Sequence, residues 1–530
     1  MQATVALDVA MPRSRLPACL WLCLAASAVA PAAHALPQPP AAHAGEAAPE
    51  ASPPADREAF ARIRGSIEAE VASGRLAGVG IALVKDGRVA WEAGFGHADR
   101  AAGRHATAHT PFSIASTTKP ITTTALMTLV AAGRLRLDAP ANDLLGDARI
   151  VDARGPAQAV TLRRLATHTS GLPTFFAMYP EGGTARQPGM DALIRDYGRL
   201  VAPVGERYEY SNLAYGILAH VVARASGQEY GRYLREHVFD PLGMHDSFFD
   251  TEPGRRDRMA VRYGDDGQPL PFYLTATPGS GEVYASAHDL ARFALLHLGR
   301  APRDAARILD DARLDELHRP AVAMAPTQWY AMGWQVLRAP GRAEALYHGG
   351  GQSGVDTEFV LVPSAGAAVV VLGNQRDREF LAALRDRLLA VAVPGWQGLP
   401  PPPAPSLEPL RPLHDYVGIW RGTLLAQGRE VATVLRVAHD GAATLALGEA
   451  PARPVADFGL IDGLLSGETE GRVGSPDTER EHVGQLSLNL KRRGERLDGE
   501  IIAWRKASWN MTILPYRVDL RREPAGVSSR

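Results

Sequence analysis

Phe112-Ser113-Ile114-Ala115-Ser116-Thr117-Thr118-Lys119-Pro120 is the stretch on which the fold turns. Only four of the chain's 57 basic residues are lysines, and one of them, Lys119, stands three positions after Ser116. Arginine keeps its proton in any protein environment, whereas a crowded lysine can lose it. A chain that otherwise prefers arginine has kept lysine where deprotonation matters, and Ser-x-x-Lys reads as a nucleophile with its base. Ile121, Ala125, Leu126, Leu129 and Val130 continue as a helical stripe that stops at Gly133, and Pro120 is tolerable only in a first turn. Ser116 is therefore predicted at or near a helix N-terminus, with Lys119 one turn on and facing the same way.

Chance alone places such a pair in a chain of this composition roughly 0.2 times, so the pair needs company. Tyr210-Ser211-Asn212 opens one predicted helix and His348-Gly349-Gly350-Gly351 precedes a predicted strand, in the order of a known serine-hydrolase set. The chemistry then follows from residue types. Ser116 Oγ is a poor nucleophile until its proton leaves. A lysine left at its ordinary pKa of ~10.4 is neutral in fewer than ~0.1% of molecules at pH 7, so its pocket must lower that value by burial or by a helix N-terminus. Asn212 is placed to hold a substrate amide and steady Lys119. Backbone amides of Ser116 and Gly351 are the candidate oxyanion donors, each worth ~3 kcal/mol in such sites. Glycines at 349 to 351 would let a strand edge approach the substrate closely. His348 either binds a substrate carboxylate as imidazolium or relays a proton as neutral imidazole.

Across roughly residues 57–395 the chain resembles the class C β-lactamase and DD-peptidase superfamily of penicillin-recognising serine hydrolases. Besides the three motifs, the resemblance rests on Leu165-Ala-Thr-His-Thr-Ser-Gly-Leu-Pro173, Pro241-Leu-Gly-Met244 followed by Asp246-Ser247, Tyr284-Ala-Ser-Ala-His-Asp-Leu290 and Met332-Gly-Trp334. It implies an α+β, β-lactamase/transpeptidase-like fold, with an antiparallel sheet and the nucleophile helix beside a helical lobe. It also gives Tyr210 the role of acid to the leaving group and then activator of water. Two departures point away from antibiotics. Phe175 stands where class C β-lactamases usually carry a Gln that binds the β-lactam side chain, which makes Phe175 a candidate substrate contact, and Phe176 follows it. His348 replaces the lysine of the third motif, which resembles D-aminopeptidases and related esterases. Val204-Gly205 replacing Pro-Gly is a smaller departure. The resulting expectation is a secreted serine hydrolase forming a Ser116 acyl-enzyme on a D-amino-acid peptide or amide, or on a carboxylic ester. D-aminopeptidase, DD-carboxypeptidase and esterase types fit this description. A true β-lactamase and a penicillin-receptor-like protein without turnover are the alternatives.

The 530 residues, 46% of them hydrophobic, suffice for more than one domain, and a net charge of -1 gives no electrostatic reason to expect nucleic acid. Arg13 and Arg15, the apolar run from Leu16 to Val29 holding Cys19 and Cys23, and Ala33-His34-Ala35 are laid out as a cleavable signal peptide (1–35) for the periplasm or beyond. A mature chain without cysteine then relies on core packing, and no integral membrane segment is expected in it. A Pro/Ala-rich linker (36–55), the hydrolase domain (56–395), a Pro-rich linker (396–411) and a small all-β barrel or lipocalin-like domain (412–530) complete the expected order. The expected partner is a small-molecule or peptide substrate. No cofactor and no metal are expected. His105 and His109 have zinc-ligand spacing, but the flanking Thr107 and Thr110-Pro111 read as extended chain. Gly351-Gln-Ser-Gly-Val355 only imitates a nucleophile elbow, without the strand-turn-helix it needs. His168 reads as loop scaffold, and Ser286 with Asp289 as a helix cap.

Overall fold

A computed structural model describes residues 54–152, 155–183, 185–252, 254–401 and 406–524. The expected signal peptide and nearly all of the Pro/Ala linker lie outside the described residues. The first helix, Pro54–Ala72, buries Phe60, Ile63 and Ile67 on one face. A hairpin follows, made of Gly78–Lys85 and Arg88–Asp99. Its two-residue turn has Asp86 at φ 54° and Gly87 at φ 70°, the paired positive values that match the right-handed twist of the flanking strands.

This hairpin completes an antiparallel sheet begun by the far end of the domain. Gly78–Lys85 pairs with Ala367–Gly373, from Val79 opposite Gly373 to Val84 opposite Ala368, and Ala367–Gly373 pairs in turn with Val355–Val362. Nearly every residue of these central strands is buried, as strands covered on both faces require. Val79, Ile81, Leu83, Val369 and Val371 face the layer made by the first helix and by Arg378–Ala392. Ala82, Val84, Val370 and Leu372 face the other way, into the core shared with the helical lobe and the buried helix Thr118–Ala131. Beyond Val355–Val362 the sheet extends through Ala345–Tyr347, Gln335–Leu337, Gln328–Tyr330 and Val322–Ala325. These edge strands are three or four residues long, too short for an alternating pattern to stand out in the sequence.

The C-terminal region forms a closed antiparallel barrel. Among the described residues it has eight strands, Gly418–Ala426, Arg429–Val437, Ala443–Leu447, Arg453–Ile461, Leu464–Glu470, Gln485–Arg493, Arg496–Ala507 and Asn510–Arg522. The last pairs with the first, from Trp420 opposite Arg522 to Leu425 opposite Arg517, which removes the open edge. Trp420, Leu424, Leu435, Leu488, Ile501 and Val518 are among its buried interior residues.

The barrel is joined to the first domain by main chain as well as side chains. The half of Asn510–Arg522 that the first barrel strand does not reach is covered by Phe176–Pro180, with Ile513 opposite Phe176 and Thr512 opposite Ala177. This alters the expectation for Phe175. Its ring is 1% exposed and packs on Tyr197 at 4.6 Å, while Tyr197 meets Tyr516 of the barrel at 6.0 Å. The pleat that gives Phe176 to the inter-domain strand turns Phe175 into the core, so it is a packing residue and not a substrate contact. Phe175→Ala should therefore cost about 3–5 kcal/mol of stability, as large-to-small changes of a buried Phe do, and Phe175→Leu much less. Calorimetric melting of the two variants checks this.

Candidate active site

Ser116 lies where three segments meet. Phe112–Ser113 pairs with Val283–Ala285, a single 3-10 turn Ala115–Thr117 follows, and the helix Thr118–Ala131 begins. Ala115, just before the serine, has φ 44°, a left-handed conformation that costs a non-glycine residue of order 1–3 kcal/mol. The sheet edge holds it there. Thr357 Oγ1 lies 2.9 Å from Thr117 Oγ1 and donates to the Ile114 carbonyl at 3.3 Å. A Cβ on Gly350 would sit 2.3 Å from the Ile114 oxygen and 2.5 Å from Thr357 Oγ1. Gly350 thus has no side chain because protein backbone lies against it. Gly351 has space, its nearest neighbour being an Asp356 oxygen at 3.6 Å.

Lys119 is wholly buried. Its Nζ lies 3.1 Å from Ser116 Oγ, 2.9 Å from Asn212 Oδ1 and 2.9 Å from the Ser280 carbonyl oxygen. It also stands over the rings of Tyr210 at 4.8 Å and Tyr215 at 5.4 Å. Burial pushes its pKa down to about 7, with the Glu282 carboxylate opposing that shift. The partners decide what the amine can do. Asn212 Oδ1 and the Ser280 oxygen can only accept, so they take two hydrogens. What is left on nitrogen faces Ser116 Oγ, a third hydrogen in the ammonium and a lone pair in the amine.

Tyr210 is the second polar neighbour of the serine, its hydroxyl donating to Ser116 Oγ at 3.0 Å. Burial raises the phenol's pKa well above its usual value, so it stays protonated near neutrality. Asn212 begins the helix Asn212–Ser226, which Ser211 caps by accepting from the Ala214 amide at 3.0 Å. His168 is closer to the chemistry than its sequence context suggested. Its Nδ1 accepts the Ser211 amide at 3.1 Å, and its ring lies 4.5 Å from that of Tyr210. Burial holds this imidazole far below its ordinary pKa, leaving it neutral with its proton on Nε2.

His348 departs from one of its two expected roles. It is buried, its Nδ1 is 2.8 Å from the Gly349 carbonyl oxygen, and its Nε2 is 3.2 Å from the Tyr330 hydroxyl. Burial and the nearby Lys119 push its pKa to about 3. With both nitrogens engaged inside the protein, the imidazole is favoured as the neutral form, which argues against the imidazolium role. His105 and His109 diverge. His105 stacks on His97 at 4.7 Å, and His109 contacts Asp246 at 2.9 Å and His288 at 4.5 Å between rings. Ser286 caps its helix by accepting from the Asp289 amide, and Asp289 Oδ2 accepts from Ser247 Oγ at 2.8 Å, as a scaffold residue does. The Ser280 carbonyl and Glu282 had no signal in the sequence, since one is a backbone group and the other an isolated acid.

The family model described as Beta-lactamase matches residues 63–393. The chain is 33% identical over 323 residues to Penicillin-binding protein 4 of Amycolatopsis lactamdurans, covering 56% of this chain and 80% of that one. It is 37% identical over 231 residues to Esterase EstB of Burkholderia gladioli, covering 40% of this chain and 57% of that one. Among solved structures, SurE with D-Leu superposes with a TM-score of 0.58 at 22% identity, over 86% of this chain and all of that one.

The two glycines separate packing from substrate approach. Gly350→Ala should displace the Ile114–Ala115 turn and abolish labelling of Ser116 by a fluorophosphonate. Gly351→Ala, with room for its Cβ, should still be labelled. Intact-protein mass spectrometry of the two variants reads the difference.

Proposed function

The chain belongs to the beta-lactamase family, and from that membership we propose that it is a secreted serine hydrolase that acylates Ser116 with an amide or ester substrate and releases the acyl group to water. The observation that carries this reading is the environment of Lys119, whose two acceptor-only partners leave its third position on Ser116 Oγ. As the free amine, Nζ takes the Ser116 proton while Oγ attacks the carbonyl carbon. The Ser116 and Gly351 amides take the developing oxyanion. Tyr210 gives its proton to the departing nitrogen or oxygen and is reprotonated from the Lys119 ammonium. A water then attacks the acyl-enzyme, losing its proton to the same pair, and Ser116 leaves with a proton restored.

Substrate class follows from charge. The bonds from His348 to Gly349 and Tyr330, with burial favouring its neutral form, support substrates whose leaving group carries no carboxylate. D-amino-acid amides and carboxylic esters fit this, and the name of an esterase relative agrees. β-Lactams and D-Ala-D-Ala termini, which carry that carboxylate, fit less well. Secretion is read from residues 13–35, and among the described residues no helix is long and apolar enough to cross a membrane.

Intact mass after exposure to a fluorophosphonate, penicillin, D-Ala p-nitroanilide and a p-nitrophenyl ester, each compared with Ser116→Ala, tests the reading. A Ser116 phosphonate adduct with turnover of the amide or ester is expected. A penicillin adduct that never clears would point to a receptor, and rapid penicillin hydrolysis to a β-lactamase. No adduct on any probe removes the enzyme. The pH profile has a definite sign. Lys119 must be deprotonated to act, so kcat/KM should fall as pH drops through about 7. Lys119→Arg, which cannot deprotonate, should lose activity at every pH.

A further inference from the structure

The peptide unit between Ser280 and Gly281 is held at both ends by ionisable side chains. Its carbonyl oxygen accepts from Lys119 Nζ at 2.9 Å, and its N–H donates to Glu282 Oε2 at 2.8 Å. Glu282 is buried, and its other oxygen accepts the hydroxyl of Thr275. A buried carboxylate is costly unless paired or bonded, yet this one stands one peptide away from the nitrogen beside Ser116. The remaining groups around Lys119 bring no negative charge. They are the phenols Tyr210 and Tyr215, Asn212, and the neutral imidazoles His168 and His348. Around Glu282 stand Thr275, Lys119, Tyr230 and Asp250, whose amide donates to the Glu282 carbonyl at 3.0 Å. Arg262, buried beyond Asp250, donates to the Tyr273 carbonyl at 3.1 Å, and Arg256 also acts on Asp250.

We propose that Glu282 is a positioning residue for the base. Ionised, it draws on the Gly281 N–H, polarises the 280–281 peptide, and strengthens the Ser280 carbonyl as an acceptor for Lys119. The proton moves only from Ser116 Oγ to Lys119 Nζ, and Glu282 keeps its charge throughout while offsetting the positive charge that Lys119 gains. This rests on Lys119 being the base. The two effects of the charge oppose one another. It favours the ammonium and so raises the pH at which Lys119 becomes free, but it also stabilises the ammonium forming as Ser116 attacks.

The test is the rate of Ser116 phosphonylation by a fluorophosphonate between pH 5 and 9, followed by intact mass for the wild type, Glu282→Gln and Thr275→Val. The Glu282→Gln change keeps an oxygen for the Gly281 amide, turns the other end into an NH2 from which the Thr275 hydroxyl can accept, and removes the charge. Its acidic limb should move to lower pH by about one unit, while its plateau rate falls about tenfold. Burial already raises the Glu282 pKa and the Thr275 hydroxyl opposes that rise, so Thr275→Val shifts part of the population to the protonated acid and should give a smaller move in the same direction, which keeps the test open if the Glu282→Gln variant fails to fold. A slower plateau with the limb unmoved in both variants overturns the proposal, because a purely structural residue behaves that way. A limb displaced to higher pH overturns it as well. If the wild type itself reacts no faster than Ser116→Ala, the reading of Lys119 as base fails and this role fails with it.

Discussion

Everything at the site depends on keeping a lysine side chain out of water. Removing an ammonium from water costs several kcal/mol even after relaxation, and the fold meets that cost partly by letting the group become neutral and partly by surrounding it with oxygen. Those oxygens come from far apart. Asn212 is 93 residues from Lys119 in sequence and Ser280 is 161, so one nitrogen draws together the nucleophile turn, the start of the helix Asn212–Ser226 and the loop before Val283–Ala285. The strained Ala115, the bare Gly350 and the Thr117–Thr357 contact hold Ser116 opposite that nitrogen. An arginine could not become neutral in this position as the lysine can, because its guanidinium does not release its proton.

The parts legible in the sequence were those whose chemistry is local in residue type. Ser116, Lys119, Tyr210 and Asn212 fall together in the structure, within hydrogen-bond reach of one another along Lys119–Ser116–Tyr210 and Lys119–Asn212. The first helix, the Asp86-Gly87 hairpin and the closed all-β region were readable because their apolar periods run long enough to distinguish 3.6 from 2. Residues whose meaning depends on direction were not. Phe175 and Phe176 are neighbours of one type, and only pairing with the barrel strand decides which of them faces the core. The protonation of His348 depends on burial and on Lys119, neither of which is written in the His-Gly-Gly-Gly pattern. The Ser280 carbonyl has no identity in sequence at all.

His348 and Lys119 constrain each other. Both are buried, burial lowers the proton affinity of each, and Lys119 lowers that of His348 further. A second cation at position 348 would make it harder still to charge Lys119, and it would add a fixed anion site. The imidazole is tied to Gly349 and Tyr330, and burial favours its neutral form beside Lys119.

The barrel meets the first domain close to this region as well. The turn between Arg496–Ala507 and Asn510–Arg522 carries Trp509, whose carbonyl accepts the hydroxyl of Ser353, next to the strand Gly350–Gln352. The Trp509 ring stacks on Tyr273 at 5.9 Å and 23°, and the Tyr273 hydroxyl donates to the Ser353 carbonyl at 2.8 Å. Beneath Tyr273, the Arg262 guanidinium lies 3.6 Å from the ring centroid, on the side of the buried acid Asp250. A cation over an aromatic face gains most where water is excluded, and this one is buried. The barrel is therefore fixed at the end of the substrate-edge strand through a stack whose lower member belongs to the charged cluster behind Lys119. A β domain with no recognisable catalytic motif is thus built into the first domain twice, through this stack and through the ladder that its closing strand shares with the Phe176–Pro180 strand.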